Sequence, residues 1–365
     1  MTCWGGGSIW VSGSHFRDWC RVPLVGYTIT RSVTRRQVLG AASCCAAMLA
    51  LPGCARHERA ADEAGIVLTQ GPGGLVLYEL ATAQGYFRRF GVKPRTLTVA
   101  DGTKCVAALV SGVSDISVCT GFNQVPAAIG RGARLKVVAG ALTLSSLAMF
   151  SAQPGITSVA DLAGKSVGIG APGSVLQQVT VLLLRKRGVA VEQVRFRDIG
   201  SDADILKAVM AGTIDAGVAD VDVMDQQRKL GIHALADGLA WKELPEYTMQ
   251  ACYASEGAIG SHRRALVGVL AAFGMAYRYV SSPESRNPFL EAWRRVTGQQ
   301  DPQRGITHWN WIQRYQPYDL RLLLSDEQIN YVQRSNVEFG AQKRILPVAE
   351  VADMSLARDA LRLMA

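Results

Sequence analysis

Three short stretches carry the residues most able to do chemistry. The first is Gly168-Ile169-Gly170-Ala171-Pro172-Gly173. Its G-x-G-x-x-G spacing lets turn amides approach a pyrophosphate, and Asp198, ending the next expected strand, stands where a ribose-binding acid would. Pro172 stiffens the loop, however, and Ser174 is a natural helix N-cap. The preferred reading is a strand-to-helix turn whose amides bind some polar group; a dinucleotide is the alternative. The second and third stretches are Thr120-Gly121-Phe122-Asn123 and Asp220-Val221-Asp222. They offer a hydroxyl, an amide and two carboxylates, the means to hold a polar ligand by hydrogen bonds and charge. Gly164-Lys165-Ser166 looks like the end of a P-loop, but Val159 stands where its earlier glycine is required. His57, His233, His262 and His308 are scattered, with none expected near a cleft, and H-E-x-x-H and G-x-S-x-G are absent. Nothing in this pattern supports metal or nucleophilic catalysis, and no metal or cofactor is expected.

What must position these loops is an internal repeat. Residues 106–118 and 206–218 align with 4 of 13 identities. Each copy reads as a helix end, a glycine stop, an aspartate turn and a buried strand. A helical pattern ending in Phe90-Gly91-Val92 precedes the first copy, over Leu75 to Val92. One ending in Arg187-Gly188-Val189 precedes the second, over Val175 to Val189. Two similar lobes imply a cleft between them. Asp115 and Asp215 then read as turn-fixing residues. The unlike loops just after each strand, Thr120–Asn123 and Asp220–Asp222, read as two facing jaws.

Strand patterns cover Gly65 to Gln70, Thr96 to Val99, Ile116 to Thr120, Lys136 to Gly140 and Ala148 to Ser151. A second series covers Ser166 to Gly170, Val194 to Ile199, Ala216 to Asp220, Ala234 to Ala236 and Tyr247 to Tyr253. Intervening helices argue for a parallel, doubly wound α/β arrangement. After Ser255 only helices are expected: Arg263 to Val280, Pro288 to Val296, Asp326 to Phe339 and Met354 to Leu363. Such a tail is expected to pack on one lobe's flank. His308-Trp309-Asn310-Trp311 and Tyr315 within it form an aromatic cluster, read as core rather than a ligand wall.

The 365 residues carry a net charge of +9, with 48% hydrophobic and 19% charged residues. Residues 1–53 hold five basic and one acidic residue, which leaves 34 basic and 29 acidic, or +5, for the rest. So weak a field, without interleaved aromatics, excludes nucleic acid as an expected partner. Thr34-Arg35-Arg36-Gln37-Val38-Leu39 is a twin-arginine pattern followed by an uncharged stretch to Gly53, short for a membrane span. It ends in Leu51-Pro52-Gly53-Cys54, which resembles a lipobox despite Pro52. Cys54 is therefore the expected lipidation site. The body is expected to be exported and held at the outer face of the cytoplasmic membrane. A start at Val33 would give a conventional signal peptide, so residues 1–32 read as an upstream extension. Of eight cysteines, Cys105, Cys119 and Cys252 fall in the body, without C-x-x-C spacing, and read as buried free thiols.

Asp161-Leu162-Ala163-Gly164-Lys165-Ser166-Val167-Gly168, with Gly132 to Gly140 and Ala211 to Ala216, resembles the ABC-transporter substrate-binding proteins of the nitrate, sulfonate, taurine and thiamine-pyrimidine group. The likeness covers about residues 64 to 255. It implies a two-lobe type II periplasmic-binding-protein fold with a helical C-terminal tail. Lobe 1 would span 64–150 plus 253–365 and lobe 2 151–252, with crossings near Ala148–Ala152 and Thr248–Tyr253. It also implies a ligand held by Gln70, Gly73, Gly74, Thr120, Gly121, Phe122, Asn123, Ser145 and Ser146 from one side. Gly173, Ser174, Val175, Asp220 and Asp222 would hold it from the other. The expected partners are a small molecule and an ABC permease with its ATPase, bound by a monomer. Helix N-termini favour an anion, whereas Asp220 and Asp222 favour an amine; no arginine is expected on the cleft loops. Two enzymes remain as rivals. One is an exported NAD-dependent oxidoreductase using Gly168–Gly173. The other is a pyrimidine-forming synthase, whose Cys-rich motif is missing here.

Overall fold

The computed structural model describes residues 60–365. The 1–53 extension, the twin-arginine pattern and Cys54 lie outside the described residues. No single helix among the described residues is long and apolar enough to cross a membrane.

Among the described residues, ten strands form two sheets of the same design. The first combines β1 (Glu63–Thr69), β2 (Lys93–Val99), β3 (Ile116–Gly121), β4 (Leu135–Gly140) and β10 (Gln250–Ser255), in the order β2-β1-β3-β10-β4. The second combines β5 (Leu147–Ser151), β6 (Ser166–Ile169), β7 (Arg195–Asp198), β8 (Ala216–Asp220) and β9 (His233–Leu239), in the order β7-β6-β8-β5-β9. Each sheet is mostly parallel, but β10 runs antiparallel between β3 and β4, and β5 antiparallel between β8 and β9. The sequence reading foresaw both strands but, taking the sheets as parallel, not their direction. Each lies far in sequence from the neighbours it pairs with, and a buried run does not announce its direction.

The crossings lie just ahead of the segments expected to make them. Leu147 to Ser151 already belongs to the second sheet, so residues 141–146 make the first passage. Residues 244–249 make the return, and β10 begins at Gln250 rather than Tyr247. Between α1 (Pro72–Ala83) and β2, the expected continuous helix breaks at Gly85, whose φ of +69° only glycine adopts easily. Beyond α1 the first lobe carries α2 (Gly102–Val110) and α3 (Gln124–Ile129), and the second α4 (Val175–Lys186) and α5 (Asp202–Met210).

The repeat's aspartates act as matched clamps. Asp115 Oδ2 accepts from Gly65 N–H at 2.7 Å, and Asp115 N–H donates to Gly65 C=O at 2.7 Å. In the other lobe Asp215 Oδ2 accepts from Ser166 N–H at 2.6 Å, and Asp215 N–H donates to Ser166 C=O at 2.9 Å. Each clamp ties the start of one parallel strand to the start of its neighbour. That fixes register where a slip by one residue would expose the buried face. The three body thiols are free and buried.

The tail does not stay on one flank. It comprises α6 (Arg263–Val280), α7 (Arg286–Thr297), α8 (Gln303–Tyr315), α9 (Asp326–Glu338) and α10 (Ser355–Met364). α6 and α7 pack on α1, whereas α8 packs on the turn Val221–Gln226 of the second lobe. Between α8 and α9, the segment 317–322 runs beside the first crossing. Thr143 N–H donates to Pro317 C=O at 2.8 Å, Asp319 N–H to Ala141 C=O at 2.8 Å, and Gly140 N–H to Leu322 C=O at 3.0 Å. The hinge therefore has a third strand-like segment supplied by the tail. Gln316 and Leu322, at its ends, both have positive φ. No periodicity in the sequence signals such a segment.

Asp215 also accepts from the Ser166 hydroxyl and the Gln153 amide. Burial raises its pKa, but these donors outweigh burial and hold it below the ordinary aspartate value. Asp215→Ala is expected to cost about 1–3 kcal/mol. The loss should shrink at acidic pH as the wild-type carboxylate protonates. Urea unfolding of both proteins at neutral pH and at about pH 3 measures this.

Candidate functional site

Where the lobes meet, the jaws touch directly. A Cβ placed on Gly121 would lie 2.1 Å from Val175 Cγ2, so only glycine permits this approach. Asn123 Nδ2 donates to Gly173 C=O at 2.7 Å across the lobes. Gly121, Asn123, Gly173 and Val175 thus come together. Ser174 caps α4 by accepting from Gln177 N–H at 3.3 Å. Gly173 N–H is taken by Gln177 Oε1 at 2.7 Å. The glycine-rich turn therefore spends the Gly173 amide and the Ala171 and Gly173 carbonyls inside the protein.

Other expected ligand residues face elsewhere. The Thr120 hydroxyl lies 2.6 Å from Ser117 Oγ and donates to Val118 C=O at 3.0 Å. Phe122 is fully buried in the core. Ser145 Oγ accepts from Leu147 N–H at 3.3 Å inside the crossing. Gly74 packs on Cys119, while Gly73 has open space where a side chain would begin, and Gln70 is exposed. The period-two alternation of a strand decides these orientations, and a short strand-end loop does not reveal its phase.

Asp220 and Asp222 form the second constellation, together with His308, expected in the aromatic core, and Arg304, which the sequence analysis does not single out. His308 Nδ1 lies 2.9 Å from Asp220 Oδ1, and Ser146 Oγ donates to Asp220 Oδ2 at 2.7 Å. Arg304 Nη2 reaches both oxygens of Asp222 at 2.8 Å. An arginine and a histidine thus meet these two carboxylates, both from α8. Their i, i+4 spacing puts them on one helix face, where they match the two carboxylates; that spacing is the signal that could have found them. Thr307, between them, donates to Asp225 Oδ2 at 2.8 Å. His308 also packs among Phe289, Trp293 and Trp311, of which Trp311 belongs to the aromatic cluster expected as core.

The charges shift accordingly. Burial raises the pKa of Asp220, but the adjacent His308 outweighs it and holds this carboxyl below its ordinary value. Burial alone would lower that of His308, but the charge of Asp220 raises it. Asp222 is pushed up to about 7 by burial and by the charge of Asp220, against the pull of Arg304. Asp202, at the start of α5, rises to about 6 for the same two reasons. Asp220 and Asp222 are thus paired by the tail and do not stand open to an amine.

A third neighbourhood lies beside the touching jaws, a cavity of about 620 Å³. Lobe 1 lines it with Val106, Asn123, Gln124, Ala127 and Arg131, and lobe 2 with Gly173, Gln177, Gln178, Val181 and Arg185. The end of α9 closes it with Asn336, Glu338 and Phe339. Its floor is a chain of amides. Asn336 Nδ2 donates to Asn123 C=O at 2.7 Å, and Asn336 Oδ1 accepts from Gln178 Nε2 at 3.2 Å. Gln178 Oε1 accepts from the Tyr247 hydroxyl at 2.8 Å. Asn336 therefore joins both lobes through the tail. Two buried acceptors at this wall, Asn123 Oδ1 and Gln124 Oε1, have no partner. Only Asn123 and Gly173 among the expected ligand residues line this cavity.

The NMT1/THI5-like family model matches residues 76–285, more than half of the chain. The chain belongs to the NMT1/THI5-like family. Solved structures agree on the fold. The periplasmic aliphatic sulphonate binding protein SsuA from Escherichia coli superposes with a TM-score of 0.65 at 19% identity, over 80% of this chain and 92% of that one. The periplasmic nitrate-binding protein NrtA from Synechocystis PCC 6803 gives 0.60 at 12% identity, over 82% and 88%. The desulfurization enzyme DSZB gives 0.58 at 15% identity, over 82% and 99%. No curated protein matches the sequence of this chain. The family member described here has the two-lobe α/β periplasmic-binding-protein fold, with a helical C-terminal region.

A carboxyl whose pKa rises on folding stabilises the protein while protonated in both states. That stability fades as pH climbs from the unfolded to the folded value. For Asp222 the window runs from about 4 to about 7. His308, raised on folding, adds stability below about 6.5 that is lost as pH rises through its folded value. Asp222→Asn is expected to flatten the fall in stability between about pH 4 and 7. Urea midpoints measured across that range test it; an unchanged slope would show that Asp222 is ionised throughout.

Proposed function

We propose that this protein is an exported, membrane-tethered solute receptor that delivers a small organic molecule or anion to an ABC importer. The observation that carries the reading is the 620 Å³ cavity held between two matched lobes, of a size that suits small ligands. The SsuA and NrtA structures, whose names describe binding of sulphonate and nitrate, share its fold and support the same kind of role. In this reading the lobes close on solute by hinge motion, and the closed form is what a permease and its ATPase engage. The protein acts as a monomer without a cofactor, and lipid on Cys54 holds it at the outer face of the cytoplasmic membrane.

In this reading Asn123 and Gly173 lie nearest the ligand, with the Gly121–Val175 contact beside them. Ser146, Asp220 and Asp222 serve at the hinge side, where α8 neutralises them. An oxidoreductase using Gly168–Gly173 is the weaker reading. Gly173 N–H is spent on Gln177, and Gly173 C=O on Asn123, so a pyrophosphate would have to displace the facing lobe. DSZB shows that an enzyme can share this fold.

Four measurements test the proposal. A thermal-shift screen of sulfonates, amino acids, pyrimidines and polyamines should find a stabilising solute, and X-ray scattering should show that solute compacting the protein. Titration with NAD and NADP should give no shift. In cells, radiolabelled fatty acid should enter the wild type and not Cys54→Ser; equal labelling would refute the tether.

A further inference from the structure

We infer that α8 is a proton-linked latch between the lobes: one face is fastened to lobe 1, the other grips buried carboxylates of lobe 2, and letting go of them releases protons. The latch therefore loosens as pH rises through neutrality. It belongs to the fold and stands apart from the solute-binding reading above.

The two faces of α8 are distinct. Trp309, Gln313 and Gln316 share one face by their i, i+4, i+7 spacing. Trp309 Nε1 donates to Ser285 Oγ at 3.0 Å, Gln313 Nε2 to Val280 C=O at 2.8 Å, and Gln316 Nε2 to Ser281 C=O at 3.2 Å. These partners sit where α6 ends and α7 begins, and both of those helices pack on α1 of lobe 1. Arg304, Thr307, His308 and Trp311 share the other face. They meet Asp222, Asp225 and Asp220 of the turn after β8, and Trp241 at a ring distance of 6.0 Å, all in lobe 2. Ser146, in the first crossing, holds Asp220 from the hinge. Lobe motion that leaves α8 on lobe 1 must therefore pull it off this turn.

The turn is built so that its charges balance only with a proton. Asp220 and Asp222 are buried close together, with Asp222 N–H donating to Asp220 Oδ1 at 3.2 Å. Against their two charges stand one guanidinium, Arg304, and one imidazole, His308. Without a proton on His308 or on a carboxyl, one buried negative charge is left uncompensated, which is costly. The other groups facing the cluster do not remove the deficit. Asp225 and Asp202 are acids, the Tyr318 hydroxyl beside Asp220 carries no charge, and Lys229 is taken by Asp301 at 3.3 Å. With α8 lifted away, water would solvate both carboxylates and the need for the proton would go. The latched form thus holds more protons than the released one, and rising pH favours release. Asp222, pushed up to about 7, and His308, raised above its ordinary value, place the change near neutrality.

Spin labels at Asn310→Cys on α8 and Lys207→Cys on α5 report the latch directly. The full-length chain is used, with Cys3, Cys20, Cys44, Cys45 and Cys54 as serine. Pulsed electron resonance is expected to give one narrow distance at about pH 5.5 and an added longer component at about pH 8.5. The ratio of released to latched molecules should rise by up to about tenfold per pH unit for each proton given up. Asp222→Asn keeps an acceptor for Arg304 but removes the charge that needs the proton, so it should stay latched at about pH 8.5. A control pair within lobe 2, Lys207→Cys with Arg228→Cys, should not change. The inference is overturned if the distribution across the latch is the same at both pH values, a comparison that needs no change at Asp222. It is also overturned if Asp222→Asn, shown folded by circular dichroism, releases as readily as its parent, or if the control pair broadens equally. Each of these outcomes leaves the solute-binding reading to its own screen.

Discussion

One buried amide, Asn336, holds the two halves of this molecule in register. It donates to the backbone of Asn123 in the first lobe and accepts from Gln178 in the second. Neither lobe contains Asn336 in its own sheet; the tail carries it there on α9. A buried hydrogen bond contributes only about 1 kcal/mol net, but leaving its partners unpaired costs more. The joint therefore favours one arrangement of the lobes over a continuum of them. The touching jaws, the cavity wall and the orientation of Asn123 all follow from that arrangement.

The tail makes a second contact of a different kind at the hinge. Arg304 and His308 meet Asp222 and Asp220, and residues 317–322 run beside the first crossing. An ionic pair buried in this way is weak evidence for stability but strong evidence for a fixed geometry, because losing one partner strands the other. The tail thus restrains the lobes at two places, by amides beside the cavity and by charges at the hinge. A motion that opens the jaws must carry α8 and α9 with one lobe or break one of these contacts.

Much of the fold was legible in the sequence, for reasons that can be named. The repeat located both strands β3 and β8, and its aspartates proved to be clamps because a turn before a buried strand needs an acceptor for strand-start amides. The glycine-rich turn read correctly as a strand-to-helix turn capped by Ser174. What escaped was long-range. The direction of β5 and β10, the third hinge segment and the reach of α8 into the second lobe depend on pairings between distant residues. Local periodicity does not encode those pairings. Side-chain phase in strand-end loops escaped for the opposite reason: Thr120 and Phe122 turn inward because one residue of register decides it. The i, i+4 pair Arg304 and His308 was a visible signal, but only His308 was singled out, and as part of an aromatic core.

Asn336 joins two lobes around a cavity that opens between them. The most direct measurement is the distance between spin labels at Arg131→Cys and Glu192→Cys, on opposite sides of that cavity, by pulsed electron resonance. Cys105, Cys119 and Cys252 are buried, with thiol pKa values raised by burial, so they resist labelling. Cys3, Cys20, Cys44, Cys45 and Cys54 would be replaced by serine. The account predicts a narrow distribution with Asn336 in place, and a longer, broader one in Asn336→Leu. Identical distributions in the two proteins would contradict it.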